Sequence, residues 1–264
     1  MYRERSFVDY IRDLRLRVIR VSIAIGAATV FCMTFGIGSF NIDGYTILLP
    51  YPDTFHNISI QIVLIMRNNL LPNSVNLVQL TPQGAFVTQI YVSALLGVII
   101  TMPIIVRELA AFIGPGLYQH EKTNVKKFTA FAIILFATGC LSSYFVAIPY
   151  ILNFLYKYGQ SLGVSTFFDI GQFVPFVIQF LIIFGFSYQL PIIMWATTVS
   201  GIVRRDFWRH NLRYAIMIIT IFGAFITPDG SGVTMWFIAG PMLLLYIVGM
   251  LILEEKIKPV WQRY

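Results

Sequence analysis

The stretch AFVTQIYVSALLGVIITMPIIV, residues 85–106, is a long apolar run that leads directly into the basic segment RELAAFIGPGLYQHEKTNVKK, residues 107–127. A helix needs about twenty apolar residues to cross the hydrocarbon core of a bilayer. The run is therefore long enough to form a transmembrane helix. The Lys and Arg residues that follow it predict that its carboxyl end lies on the cytoplasmic side of the membrane.

This combination of an apolar run and a basic flank recurs along the chain. Seventeen of the nineteen Lys and Arg residues fall in four short stretches. The stretches are Arg3 to Arg20, Arg107 to Lys127, Arg204 to Arg213 and Lys256 to Arg263. Because two of them are the chain ends, the positive-inside rule predicts that both termini are cytoplasmic and that the chain crosses the membrane an even number of times.

The composition supports a membrane protein and argues against a nucleic-acid-binding one. Hydrophobic residues make up 57% of the chain and charged residues 12%, whereas about a quarter of the residues of a soluble domain are charged. The net charge of +7 is divided among the flanks of the apolar runs and does not form one continuous basic face. We therefore expect no nucleic-acid partner.

Six apolar runs are predicted to span the membrane, and they make the chain a single all-α integral membrane domain over residues 1–264. The predicted spans are Val21–Phe40, Ala85–Val106, Phe128–Ile151, Phe173–Val199, Tyr214–Ile226 and Val233–Leu253. The fold class is thus a bundle of six transmembrane helices with short fifth and sixth spans, the fifth being only about 20 Å long at 1.5 Å per residue. Residues 5–19 are predicted to form an amphipathic helix on the inner membrane surface.

The sequence predicts neither an enzyme nor a cofactor site. His56, His120 and His210 stand alone, and there is no nucleophile motif or phosphate-binding loop. The apolar runs contain almost no ionisable residues, which ion pumps and proton-coupled carriers usually place at mid-membrane. A small-solute secondary transporter is kept as the alternative function, although Gln179 and Gln189 are nearly all that it could use.

A small set of carboxylates stands out on the basic, cytoplasmic face: Asp13, Glu108 and Glu121. Glu108 and Glu121 have no cation three or four residues away, and unpaired carboxylates suit an Arg-rich peptide because the guanidinium group binds a carboxylate through two bonds. Simpler alternatives remain open. Asp13 has Arg17 four residues later and could stabilise its own helix, while Glu121 could favour the start of the third span through the helix dipole.

Taken together, these elements resemble the TatC family, the six-span receptor subunit of the twin-arginine protein translocase. The resemblance runs nearly from end to end. Its motifs are Asp13-Leu14-Arg15-Leu16-Arg17, Leu80-Thr81-Pro82, Phe112-Ile113-Gly114-Pro115-Gly116-Leu117-Tyr118-Gln119-His120-Glu121, Phe184-Gly185 to Leu190-Pro191 and Ile226-Thr227-Pro228-Asp229. The ordered set is far more specific than any of its parts.

The resemblance implies a function and partners. A TatC-like protein in the cytoplasmic membrane is expected to bind twin-arginine signal peptides of folded precursors. It is also expected to assemble an oligomeric complex with TatA- and TatB-like single-span subunits, and to use the proton-motive force for export. No cofactor is implied, and membrane lipid is the surrounding medium.

The resemblance also assigns roles to residues. Glu121 and Asp13 would receive the two Arg side chains of the signal peptide. Phe112, Arg15 and Arg17 would shape the same inner-surface patch.

Two further positions depart from the family pattern. Glu108 belongs to the predicted binding patch, but we expect Gln at this place in the family, so the charge of Glu108 has no inherited role. Gln189 matches a polar position, often Glu, that docks the transmembrane helix of a small partner subunit. The commoner alternative is that the Gln189 amide is satisfied within its own bundle.

Overall fold

The computed structural model describes residues 7–42, 45–71, 75, 77–113, 125–163, 167–199, 201–227 and 232–256. Ten α-helices, four strands and one π-helical segment follow one another in this part of the chain. They are α1 (Phe7–Thr34), β1 (Phe35–Ile42), β2 (Tyr45–Pro52), α2 (Ile58–Leu70), β3 (Leu77–Val78), α3 (Gly84–Ile113), α4 (Val125–Ser142), the π-helical segment (Ser143–Ala147), α5 (Ile148–Ser161), β4 (Phe168–Asp169), α6 (Ile170–Ser187), α7 (Leu190–Val199), α8 (Arg205–His210), α9 (Leu212–Ile226) and α10 (Gly232–Lys256).

The predicted fold class, a mainly helical membrane protein, is confirmed. Among the described residues, five helical stretches are long and apolar enough to cross a membrane: Ile11–Thr34, Gly84–Leu109, Thr129–Ser161, Ile170–Val199 and Gly232–Glu255. The predicted fifth span is α9, whose 15 residues extend only about 22 Å against a hydrocarbon core of about 30 Å. The sixth is longer than expected, because α10 contains 25 residues.

The chain divides into two compact units. The first comprises the described residues of Met1–Glu108 and of Ile148–Phe180, and the second those of Leu109–Ala147 and of Leu181–Tyr264. The single domain expected from the sequence stays a prediction.

The first span begins and ends differently from our expectation. The predicted amphipathic helix and the predicted span form one continuous helix, α1, which starts at Phe7 and ends at Thr34 instead of Phe40. Residues Phe35–Ile42 form strand β1, which pairs antiparallel with β2. A hydrogen bond from the Asp53 amide to the Thr34 carbonyl, 3.1 Å long, closes the hairpin at the end of α1.

Helix α2 is fastened to the end of α1 by one buried side chain. Asn57 caps α2 by accepting a hydrogen bond from the Ile60 amide at 3.0 Å, and its amide group donates to the Met33 carbonyl at 2.8 Å. The hydroxyl of Ser59 adds a 3.3 Å hydrogen bond to the Cys32 carbonyl. These hydrogen bonds satisfy a backbone amide at the start of α2 and backbone carbonyls at the end of α1. They therefore fix α2 beside the first span.

In the first unit, α1 and α3 approach each other at a glycine. A Cβ atom added to Gly97 would overlap Thr29 Oγ1 and would lie 3.0 Å from the Ile25 carbonyl oxygen. The neighbouring hydroxyls are satisfied within their own helices, since Thr29 donates to Ile25 and Thr101 donates to Gly97. Small residues and internally bonded hydroxyls are what close packing in a bilayer requires.

The third span is longer than predicted. It continues from α4 through the π-helical segment Ser143–Ala147 into α5, which ends at Ser161 and not at Ile151. Residues 152–161, beyond the predicted end of the span, are therefore helical.

The fourth span is interrupted between α6 and α7, at Tyr188 and Gln189. Pro191 explains the position of this break, because proline has no amide hydrogen to bond back to Ser187 and its ring obstructs the preceding turn.

In the second unit, α4 and α6 also meet at glycines. A Cβ atom added to Gly139 would lie 2.7 Å from the Phe184 carbonyl oxygen and 3.1 Å from the Cα atom of Gly185. Helix α10 packs against α7, α8 and α9. An ion pair joins Arg209 on α8 to Glu254 on α10 at 3.4 Å.

Candidate functional site

The amino-terminal part of α1 and the end of α3 carry charged side chains that meet in the first unit. Arg17 lies at the centre. Its Nε atom donates to Asp13 Oδ2 at 3.0 Å and its Nη1 atom to Glu108 Oε2 at 3.0 Å. Arg20 reaches the same Glu108 oxygen at 3.4 Å. The cluster therefore contains two arginines and two carboxylates from two helices.

Helix geometry explains why these four residues come together. Asp13 and Arg17 are four residues apart, and Arg17 and Arg20 are three apart, so all three lie on one face of α1. Glu108 projects toward that face from the last turns of α3. Each guanidinium group thus finds a carboxylate within reach.

Burial differs within the cluster, and the difference decides what each group can do. The side chains of Arg17 and Glu108 are only 18% and 13% exposed, whereas that of Asp13 is 36% exposed. Salt screens a mostly buried pair less than a surface pair. The Arg17–Glu108 pair is therefore the firm connection between α1 and α3, and Asp13 is the carboxylate that an incoming molecule can reach.

The structure brings some of the expected binding residues together and not others. Asp13, Arg17 and Glu108 are brought together, while Arg15 is exposed and takes part in no ion pair among the described residues. Phe112 lies in the last turn of α3. Glu121 lies outside the described residues, so its predicted place beside Asp13 is untested.

Two sequence-based expectations about pairing can now be compared with the structure. The alternative that Asp13 pairs with Arg17 is confirmed. The expectation that Glu108 is unpaired is wrong, because Arg17 and Arg20 approach it from another helix. Spacing along one helix identifies partners on that helix alone, so it does not point to Arg20, which lies on α1 one turn after Arg17.

Gln189, the predicted docking residue, is bonded within the second unit. Its side chain is 8% exposed, and its Nε2 atom donates to the Ala132 carbonyl of α4 at 3.1 Å. The close approach of Gly139 and Gly185 brings the two helices near enough for this bond. The Nε2 donor of Gln189 thus finds its partner within its own bundle, as the alternative interpretation expects. Docking of a partner helix at Gln189 stays a prediction.

Replacement of Gln189 by leucine is expected to lower the stability of the isolated chain by about 1 kcal/mol, because it removes a buried hydrogen bond inside the membrane. Thermal unfolding of the purified protein in detergent measures this change. Gln160→Leu is the control, since Gln160 is exposed and its side chain bonds, within the described part of the chain, to the hydroxyl of Tyr156. An unchanged unfolding temperature together with loss of a co-purifying subunit would instead make Gln189 a docking residue.

Comparison with known proteins gives one consistent result. A family model described as "Sec-independent protein translocase protein (TatC)" matches residues 9–241. The chain is 49% identical over 253 residues to the Sec-independent protein translocase protein TatC of Cenarchaeum symbiosum, covering 96% of each chain. It is 30% identical to the protein of the same name from Carboxydothermus hydrogenoformans, covering 82% of this chain and 85% of that one.

A solved structure agrees with these sequence matches. The crystal structure of the twin arginine translocase receptor TatC superimposes with a TM-score of 0.76 at 25% identity, covering 93% of this chain and 98% of the other.

Proposed function

The chain belongs to the TatC family of Sec-independent protein translocase proteins, and from this membership we propose that it is the core receptor subunit of a twin-arginine translocase. It is a multi-pass membrane protein. Its cytoplasmic face binds the Arg pair of a signal peptide, and the attached folded protein is exported without any reaction catalysed by the chain itself.

The observation that carries this proposal is the partly exposed carboxylate of Asp13, which lies beside the Arg17–Glu108 pair between α1 and α3. Its surroundings are basic, with Arg12, Arg15 and Arg20 on the same helix. A guanidinium group is the guest best suited to a carboxylate at such a place, because it can form two parallel hydrogen bonds. Glu121 would supply the second carboxylate for the second arginine of the pair.

The orientation follows from charge. The basic stretches at Arg3 to Arg20 and Arg107 to Lys127 place the Asp13 cluster on the cytoplasmic side under the positive-inside rule, together with both chain ends. Signal peptides are made on that side. The binding residues and their ligand therefore share one compartment.

The fourth and fifth spans are the proposed docking place for TatA- and TatB-like single-span subunits. Helix α9 has a helical length of about 22 Å and is shorter than the hydrocarbon core. A short span thins the surrounding bilayer or recruits neighbouring helices. Such thinning would lower the barrier to passage of the folded protein across the bilayer. In the assembled complex, the proton-motive force would drive this passage.

A crosslinking experiment tests the binding site. A photoreactive twin-arginine signal peptide is incubated with membranes that contain the wild-type chain, Asp13→Asn, Glu121→Gln or both substitutions together. We expect each single variant to reduce labelling about tenfold, as the loss of a charge-assisted hydrogen bond does, and the double variant to abolish it.

One control and two contrary results complete the test. A peptide with Lys in place of both Arg residues should label the wild-type chain weakly, because lysine cannot form the paired bonds. Undiminished labelling of the double variant would show that Asp13 and Glu121 do not bind the signal peptide. Substrate uptake by the purified chain alone in liposomes would favour the small-solute transporter instead.

A further inference from the structure

The guanidinium group of Arg17 is divided between two carboxylates. Its Nε atom bonds to Asp13, while its Nη1 atom bonds to the carboxylate of Glu108 and also lies 3.4 Å from the Glu108 carbonyl oxygen. An arginine beside a single carboxylate prefers two parallel bonds to it. Here one arm of the guanidinium group is drawn away toward α3.

Asp13 is left with one oxygen available as a result. Arg17 engages Oδ2, and no hydrogen bond to Oδ1 occurs among the described residues. With 36% of its side chain exposed, Asp13 is accessible to solvent. The free oxygen can accept a hydrogen bond from a guest without prior displacement of Arg17.

We propose that Glu108 is a positioning residue for Asp13: by holding Arg17 against α3, it keeps one oxygen of Asp13 open for the guanidinium group of a signal peptide. The inference rests on the proposed function. It assigns a role to a charge for which the resemblance to the family supplied none.

Charge balance supports the same conclusion. Glu108 also pairs with Arg20, so it offsets positive charge that would otherwise repel a cationic guest. Without Glu108, Arg17 can turn both arms of its guanidinium group onto Asp13. The internal arginine would then occupy the place of the incoming one.

If Glu108 positions Arg17, a second substitution at Arg17 should restore the binding that is lost without Glu108. A purely structural role of Glu108 does not predict this restoration. We expect Glu108→Gln to weaken binding of a fluorescent peptide with an Arg pair about fivefold, because Arg17 would then compete with the peptide for the carboxylate of Asp13. Adding Arg17→Gln to that variant removes the internal competitor and should restore most of the affinity. Arg17→Gln alone is titrated as the reference for the double variant.

The measurement is a titration of the peptide against the purified full-length chain in lipid nanodiscs, with thermal unfolding recorded for each variant. Glu254→Gln is the matched control, because it removes the same charge from an ion pair with Arg209 in the other unit. It should leave the dissociation constant unchanged.

The possible results separate the two proposals. If Asp13→Asn binds as the wild-type chain does, the proposed role of Asp13 fails. If Asp13→Asn weakens binding and Glu108→Gln does not, the positioning role alone is overturned. Failure of Arg17→Gln to restore affinity would mean that Glu108 contacts the peptide itself or only joins the helices, and would also overturn it.

Discussion

Replacing Gly139 by leucine should prevent the second unit from folding. The Cβ atom of any larger residue would lie 2.7 Å from the Phe184 carbonyl oxygen and 3.1 Å from the Gly185 Cα atom. Both are backbone atoms of α6, so they cannot move away as a flexible side chain does. Leucine would therefore force α4 and α6 apart. The hydrogen bond from Gln189 to the Ala132 carbonyl would be broken as well.

The graded variant Gly139→Ala makes this prediction quantitative. Alanine normally stabilises a helix by about 0.5–1 kcal/mol relative to glycine, but overpacking costs about 1–3 kcal/mol. We expect net destabilisation, seen as a lower unfolding temperature in detergent, and little or no recoverable folded protein for leucine. Gly26 is the control, since a Cβ atom there would meet nothing within 4 Å. Equal effects at both positions would refute the packing argument.

Gly97→Leu is expected to have a comparable effect on the first unit. A Cβ atom at this position would overlap Thr29 Oγ1 and would also lie 3.0 Å from the Ile25 carbonyl oxygen and 3.2 Å from the Thr29 amide nitrogen. The separation of α1 from α3 would disturb the Arg17–Glu108 pair at the end of the same two helices. Stability and signal-peptide binding should both be lost.

A double variant identifies which contact matters. Thr29→Ala removes the hydroxyl oxygen but leaves the backbone atoms of Ile25 and Thr29 in place. We therefore expect Thr29→Ala to restore only part of the stability lost in Gly97→Ala. The expected coupling free energy is about 1 kcal/mol, as for two residues in contact. Thermal unfolding of the two single variants and of the double variant measures the coupling. Complete recovery would show that the side chain was the only obstacle.

The length of an apolar run predicted the helix bounds well where a charged or helix-breaking residue ends the run. The predicted Tyr214–Ile226 became α9, Leu212–Ile226, because Thr227 and Pro228 stop the run. The prediction failed at Phe35, where the run stays apolar but the chain changes from helix to strand. Hydropathy does not distinguish a short apolar strand from the end of a helix, and the pairing partner β2 lies further along the chain.

The candidate site was only partly predictable for a similar reason. Spacing along α1 gave the Asp13–Arg17 pair correctly, since both residues belong to one helix. The partner of Glu108 could not be found in this way, because Arg17 is 91 positions away. Only the packing of α1 on α3 brings them together. A search for opposite charges at the basic ends of different spans would have suggested it.

The π-helical segment Ser143–Ala147 has a consequence for comparing related sequences. A π turn accommodates one more residue than an α turn, so it is the place in a helix where an inserted residue can be absorbed. Buried positions recur four residues apart through it, at Ser143, Ala147 and Ile151. For a homologue one residue longer or shorter in this span, a gap placed elsewhere would match exposed positions of one chain to buried positions of the other.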